Sequence, residues 1–267
     1  MNPGDLQVEI KARPAGETVA LAARMVQHRP GPFIGAWAFH ALGTVAFGHL
    51  LLVTLGWHWG WGLLFVPLFA PVFSLPMIAT AGHLVFSPTV TFGTVARTTL
   101  RRGFPFLLLF VVNRLVTLIG LAALVVPGLF LWRASWFLGP IVVLEGSSMG
   151  ASFRRGRRFA VGFHGHVLGH ALNVALLLSY LWIALATLAW FMTVKVFGQT
   201  FTSLAELPQH DLFYPYLGLV GFALAVPFVT LVWFFVYLDV RIRKEGWDLE
   251  IAFRARAAQL QEQSRGA

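Results

Sequence analysis

At 267 residues the chain has room for one or two ordinary soluble domains. Its composition excludes them: 57% of residues are hydrophobic, only 12% are charged, and the mean hydropathy is +0.72, against a charged share of roughly 25% in soluble domains. Cysteine is absent, which removes disulfides, thiolate metal sites and cysteine nucleophiles. The net charge of +9 flanks apolar runs, as anchoring to anionic lipid headgroups requires, and does not gather with aromatics as a nucleic-acid-binding strip would.

Residues 1–31 are polar and carry Lys11, Arg13, Arg24 and Arg29. The apolar run that follows, 33–55, is too long for the core of a cleaved signal peptide and reads as a retained span. Further apolar runs lie at 62–84, 104–126, 129–145, 167–194 and 216–238, and about 20 such residues cross a bilayer as a helix. Pro67, Pro71, Pro76, Pro105, Pro140 and Pro227 fall inside these runs; membrane helices tolerate them because neighbouring groups re-satisfy the freed carbonyls. The fourth run is the shortest and carries Arg133 just after Pro127-Gly128, a strong breaker that predicts a tight hairpin between runs three and four.

Six spans require alternating connections, and the charges follow that alternation. Segments 1–32, 85–103, 146–166 and 239–267 hold 4, 3, 4 and 6 Lys or Arg, which is 17 of the chain's 20. The opposite connections hold only Lys195, with Arg114 and Arg133 inside spans. The positive-inside rule then places the basic segments, and both termini, in the cytoplasm. Trp57, Trp59, Trp61, Trp132 and Trp190 stand where an outer aromatic belt belongs. The expected fold is all-α: one integral membrane domain over 1–267, with a cytoplasmic segment 1–31, a bundle of about six transmembrane helices over 32–245, and a cytoplasmic helix over 246–267.

Three of the basic segments share a pattern. Thr18, Thr91 and Ser148 each stand six residues before an arginine (Arg24, Arg97, Arg154), and a basic or imidazole side chain returns four later at His28, Arg101 and Arg158. A hydroxyl at a helix start caps orphan amides, and cations four apart share one face. Each segment therefore predicts a short amphipathic helix on the inner leaflet, followed by two spans. The unit occurs three times, as in transporters with internal repeats.

Two stretches carry a resemblance. Val126-Pro-Gly-Leu-Phe-Leu-Trp-Arg133 leads through Gly139-Pro-Ile-Val-Val-Leu-Glu145 to Ala151-Ser-Phe-Arg-Arg-Gly-Arg-Arg158, and Tyr237-Leu-Asp239-Val-Arg241 leads to Glu245-Gly-Trp-Asp248-Leu-Glu250. Together they resemble a bacterial membrane family related to the domain fused to some glycerophosphodiester phosphodiesterases. The resemblance covers roughly 85–250 and implies a six-helix fold in a bacterial inner membrane, with no catalytic residues to carry over. In the fused proteins the chemistry belongs to a separate soluble domain. Where the family has a serine in the basic run, this chain has Gly156.

Several polar residues need a reason. Arg114, beside Asn113, falls near the middle of the third run, where a charge costs about 2.5–3.5 kcal/mol on insertion scales and should face the bundle interior or a wet cavity. Arg133 has the length to snorkel outward, and Glu145 closes its run at the inner surface. One reading joins Arg114, Arg133 and Glu145 as an intramembrane polar site for a lipid headgroup or small solute. The other has Arg114 satisfied by carbonyls and Glu145 paired with an inner-surface arginine.

His166 and His170 are one turn apart, as zinc ligation on a helix needs. No acidic residue lies between Glu145 and Glu206 to complete a zinc-protease helix, so they read as solvated interfacial histidines and no metal or cofactor is expected. His40 and His49 fall on opposite sides of their helix, which rules out a haem clamp from that helix alone. Asp239, Arg241, Glu245 and Asp248 form the densest charge cluster, with Asp239–Arg243 and Arg241–Glu245 at i, i+4 spacing. They read as a cytoplasmic docking handle for a protein partner or as a solvated cap, with Gly246 ending the helix. No phosphate loop, Gly-x-Ser-x-Gly or paired carboxylate appears. The expectation is a non-enzymatic envelope scaffold or accessory protein, with a carrier using Arg114 and Arg133 as the alternative.

Overall fold

The computed structural model describes residues 13–87, 89–123, 128, 131–133, 135–160, 164–196 and 213–246. Every regular element among them is helical. In chain order these are α1 (Ala15–His28), α2 (Pro30–His49, running on through the wider turn Leu50–Thr54), α3 (Trp59–Phe69), α4 (Leu75–Phe86), α5 (Phe92–Ala123), α6 (Leu138–Pro140, running on as Ile141–Glu145), α7 (Met149–Ala160), α8 (His164–Phe191, running on as Met192–Val196) and α9 (Phe213–Glu245).

Five helical stretches are long and apolar enough to cross a membrane: Pro30–Thr54, Trp59–Phe86, Phe92–Ala123, Gly165–Phe191 and Pro215–Glu245. They coincide with five of the six expected spans. The second contains a 3₁₀ step at Ala70–Ser74 between α3 and α4, and the prolines explain it. Pro67, Pro71 and Pro76 each lack the N–H that the carbonyl four residues earlier needs, so successive turns lose a hydrogen bond and one tightens.

The fourth expected span, 129–145, is not one continuous helix among the described residues. Leu131 to Arg133 are helical, Ser135–Phe137 form a turn, and helix resumes at Leu138. The i→i+3 bonds Ser135 N–H to Trp132 O, Trp136 N–H to Arg133 O and Leu138 N–H to Ser135 O make the break. Gly128 approaches Gly120 and Leu121 of α5 closely.

The expected interfacial helices have three different fates. α1 and α7 are separate short helices, whereas the segment 91–101 continues without interruption into the 32-residue α5. Only the middle hydroxyl is seen capping as expected: the Thr94 N–H donates to Thr91 Oγ1 at 3.3 Å. Thr18 lies inside α1, where its hydroxyl donates to Ala15 O, and Pro14 holds the cap position. Neither α1 nor α7 lies free of the bundle. Thr18, Ala22 and Met25 bury one face of α1; Ser152, Gly156 and Phe159 bury the equivalent i, i+4, i+7 face of α7.

α9 is the central pillar. In its most apolar window 72% of residues are buried, against 0% for α8. It packs against α8, α2, α1 and α4. Apolar surface gives little drive for helix association in lipid, so shape and hydrogen bonds must hold the helices together. Trp37 Nε1 on α2 donates to Leu224 O at 3.0 Å, Trp182 Nε1 on α8 donates to Gly218 O at 2.7 Å, and Trp233 Nε1 on α9 donates to Trp136 O at 2.6 Å. Toward its C-terminus Phe137 stacks on Trp233 and Phe159 meets Tyr237 edge-on. α9 ends at Glu245, and Gly246, at φ +59°, donates its N–H to Ile242 O at 3.0 Å, which is the expected stop.

Candidate functional site

The polar groups converge at the end of the bundle where α9 finishes, here called the basic end. Two networks form there, both on α9.

The first centres on Asp239, whose side chain is only 2% exposed. Its Oδ1 accepts the backbone N–H of Arg13 at 2.6 Å, and Arg243 Nε, one turn along the helix, donates to Oδ1 and Oδ2 at 3.1 and 3.0 Å. Oδ2 also lies 2.7 Å from His166 Nε2 on α8. His170 Nε2 is 3.1 Å from His166 Nε2 and 3.7 Å from Asp239 Oδ2, and the two imidazole rings meet edge-on at 4.5 Å. Arg243 Nη2 donates to Arg13 O at 3.2 Å. One carboxylate therefore joins α8, α9 and the segment before α1.

The second network centres on Glu145 at the end of α6. It accepts from Arg155 Nε at 2.7 Å and from the buried Tyr237 hydroxyl at 2.6 Å. Arg155 Nη2 reaches on to Glu245 at 2.7 Å, which also accepts from Arg241 Nε at 3.1 Å. Burial works against the Arg155 charge, but Glu145, and after it Glu245, outweigh that penalty and hold its pKa above the ordinary arginine value. Lys244 Nζ donates to the carbonyls of Arg158 and Phe159 at the C-terminal end of α7, where a cation meets the negative end of the helix dipole. Arg102 of α5 donates to Gly146 O at 3.3 Å.

The expected site residues are thus redistributed. Glu145 pairs with Arg155 and Tyr237. Arg114 is 8% exposed on α5, its guanidinium 4.7 Å over the Phe110 ring, and among the described residues its Nε and Nη1 meet no hydrogen-bond partner. The same holds for both amide atoms of Asn113 and for Thr117 Oγ1, so a buried polar stripe runs along this face of α5. The Nε and Nη2 of Arg133 are buried and meet no hydrogen-bond partner among the described residues. The reading of His170 as solvated is corrected: it is 3% exposed, shielded by the α8–α9 contact, while His166 keeps 27%.

Within the docking cluster, Asp239–Arg243 and Arg241–Glu245 pair at i, i+4 as the spacing predicts, but Asp239 is turned inward. Asp248 and the cytoplasmic helix expected beyond Gly246 lie outside the described residues.

Two associations escaped the sequence. No carboxylate stands near the histidines in sequence, and Asp239 arrives from 73 residues away. A second polar group lies deeper, where the fully buried His40 contacts Thr44 Oγ1 at 3.3 Å and Ser74 Oγ at 3.1 Å, and Thr230 donates to Ser74 at 3.2 Å. Hydroxyls at single positions on three helices carry no spacing signal. No family model matches the chain, and neither a curated protein nor a solved structure matches it.

Proposed function

We propose that this chain is a multi-pass protein of the bacterial inner membrane that organises or assists a process at the envelope without catalysing a reaction itself. It is threaded six times with both termini in the cytoplasm. Support for an even number of passes comes from the Arg13–Asp239 bond, which brings the entry to the first span and the exit from the last to one end of the bundle. The distribution of 17 of 20 Lys and Arg residues supports the orientation. α1 and α7 then lie at the inner interface, with the exposed Arg24, Arg154, Arg157 and Arg158 toward anionic headgroups. The reading takes the chain as a relative of the membrane domain fused to glycerophosphodiester phosphodiesterases, whose chemistry resides in a different domain.

The observation that carries the scaffold reading is the outer face of α8. This helix packs chiefly along α9 and leaves the rest of its circumference bare. On the bare side Asn173, Tyr180 and Thr187 stand seven residues apart, all exposed, with Leu176 at 69% and Ile183 at 65% between them. That is the a/d pattern of a helix-pairing seam. Tyr180 stands near the middle of α8, with Asn173, whose Nδ2 donates to Gly169 O of its own helix at 2.9 Å, and Thr187 toward either end; such side chains hydrogen-bond across paired membrane helices. The proposed occupant is a transmembrane helix of a partner protein. Photo-cross-linking residues at Leu176 and Ile183 should capture one distinct protein in cells, while Leu115 and Ile119, exposed on α5, give lipid adducts only. Equal adducts from both helices would remove the scaffold reading.

A carrier is the second reading, and the buried polar stripe Asn113–Arg114–Thr117 favours it. Hydrogen-bonding atoms left over at that depth are what a polar cargo would engage.

A further inference from the structure

We infer that His166, His170 and Asp239 form a binding site for a divalent transition metal, zinc by the chemistry of the donors. Three ligand atoms, two imidazole Nε2 and one carboxylate Oδ2, lie within 4.8 Å of one another. Zinc binds imidazole nitrogen at about 2.0–2.1 Å and carboxylate oxygen at about 2.0–2.2 Å, so tetrahedral angles set neighbouring donors about 3.3–3.5 Å apart. The separations here are 2.7, 3.1 and 3.7 Å, bracketing that value.

Hydrogen bonding alone accounts poorly for the triangle. Each imidazole nitrogen offers either one N–H or one lone pair, along a single direction. A proton on His166 Nε2 points at Asp239 or at His170, and shared between them it makes two weak bonds. His170 Nε2 and Asp239 Oδ2 then set lone pair against lone pair. A cation at the centre satisfies all three donors together.

The surroundings suit a ligand set. His166 and His170 share one face of α8 at i, i+4, the spacing that presents two imidazoles to one metal. The third ligand comes from the facing helix, so the ion would staple α8 to α9. Asp239 Oδ1 is held by the Arg13 N–H, Arg243 Nε donates to both oxygens, at 3.1 Å to Oδ1 and 3.0 Å to Oδ2, and Oδ2 is the oxygen that faces the imidazoles. Outer-shell bonds of this kind orient metal-binding carboxylates. His166, at 27% exposure, gives the ion an entry path and leaves a fourth position for water. Two imidazoles with one carboxylate favour imidazole-binding ions over calcium or magnesium, which take oxygen ligands.

The test is metal analysis of the full chain in detergent, loaded with zinc and freed of excess by gel filtration. About one zinc per chain is expected. His170→Ala and His166→Ala should each lower retention at least tenfold, while His58→Ala, remote from the cluster, keeps it. Cobalt loading of the unmutated chain supplies a readout that does not depend on a variant folding: the intense visible bands of tetrahedral cobalt are expected. Zinc below a tenth of an equivalent in the unmutated chain, retention unchanged by His170→Ala, or only the faint spectrum of six-coordinate cobalt would each overturn the assignment.

Discussion

Arg114 poses the sharpest question at the scale of single residues. Intramembrane guanidinium groups normally find carbonyls or a counter-charge, yet two of its nitrogens face no acceptor among the described residues, and the nearest compensation is the Phe110 ring. A cation over an aromatic face returns about 0.5–2 kcal/mol, less than the insertion cost of roughly 2.5–3.5 kcal/mol. Replacing the group by an apolar chain of similar length should therefore not weaken the fold. Arg114→Met is expected to accumulate in membranes at or above the wild-type level and to melt no earlier, as read by immunoblot and by thermal aggregation in detergent. If the carrier reading holds, the same variant loses uptake or lipid movement. A fall in protein level would show instead that the guanidinium is a structural group. That Arg114 is buried could be expected from its position in an apolar run; which neighbours it lacks could not, because that depends on how α5 is rotated within the bundle.

At the scale of elements, the α8–α9 pair stands apart from the rest. α9 is enclosed on most sides, whereas α8 touches the bundle along one stripe and leaves the remainder open. The stripe is close: a Cβ on Gly221 would lie 2.7 Å from the backbone nitrogen of Ala186 and 2.9 Å from its Cβ, so the two backbones approach as small residues allow. Neither backbone can yield as a flexible side-chain tip would. Gly221→Leu should cost on the order of 1–3 kcal/mol by overpacking, read as a lower melting temperature and earlier proteolysis at the basic end, where α8 and α9 share the His166–Asp239 contact. Gly103, whose added Cβ would meet only Leu75 Cδ1 at 4.0 Å, makes a matched control, since Gly103→Ala should be neutral or stabilising. The contrast between α1, α7 and 91–101 is also settled at this scale. The three basic segments look alike in sequence, but α1 ends at His28 and Pro30 opens α2, whereas 92–123 is one helix that carries Pro105 within it. A proline starts a helix more readily than it continues one.

The whole molecule is organised from one end. Asp239 ties the N-terminal segment to α8 and α9, Glu145 and Glu245 tie α6 to α7 and α9, Lys244 holds the end of α7, and Arg102 holds Gly146. Among the described residues the opposite end is tied by the His49–Tyr216 contact. With the segment 128–145 counted as a pass the two termini share a side; without it they would be separated. Reporter fusions decide this directly. A fluorescent reporter at either terminus should be active in the cytoplasm, and alkaline phosphatase placed between 197 and 212 should be active in the periplasm. A periplasmic C-terminus would overturn both the six-pass count and the orientation.

The sequence by itself determined that this is a helical chain, where its five helices long and apolar enough to cross a membrane run, which connections are basic, and that α9 stops at Gly246. Those properties follow from runs of apolar residues, charge spacing and backbone chemistry, all of which are local. Only the tertiary structure decided that the fourth run is broken, that one amphipathic segment is absorbed into α5, and that Asp239 meets His166 and His170 across two helices. These outcomes depend on the rotation and proximity of helices far apart in the chain. In lipid, small differences in shape and a few hydrogen bonds select them, and no periodicity in the residues records that choice.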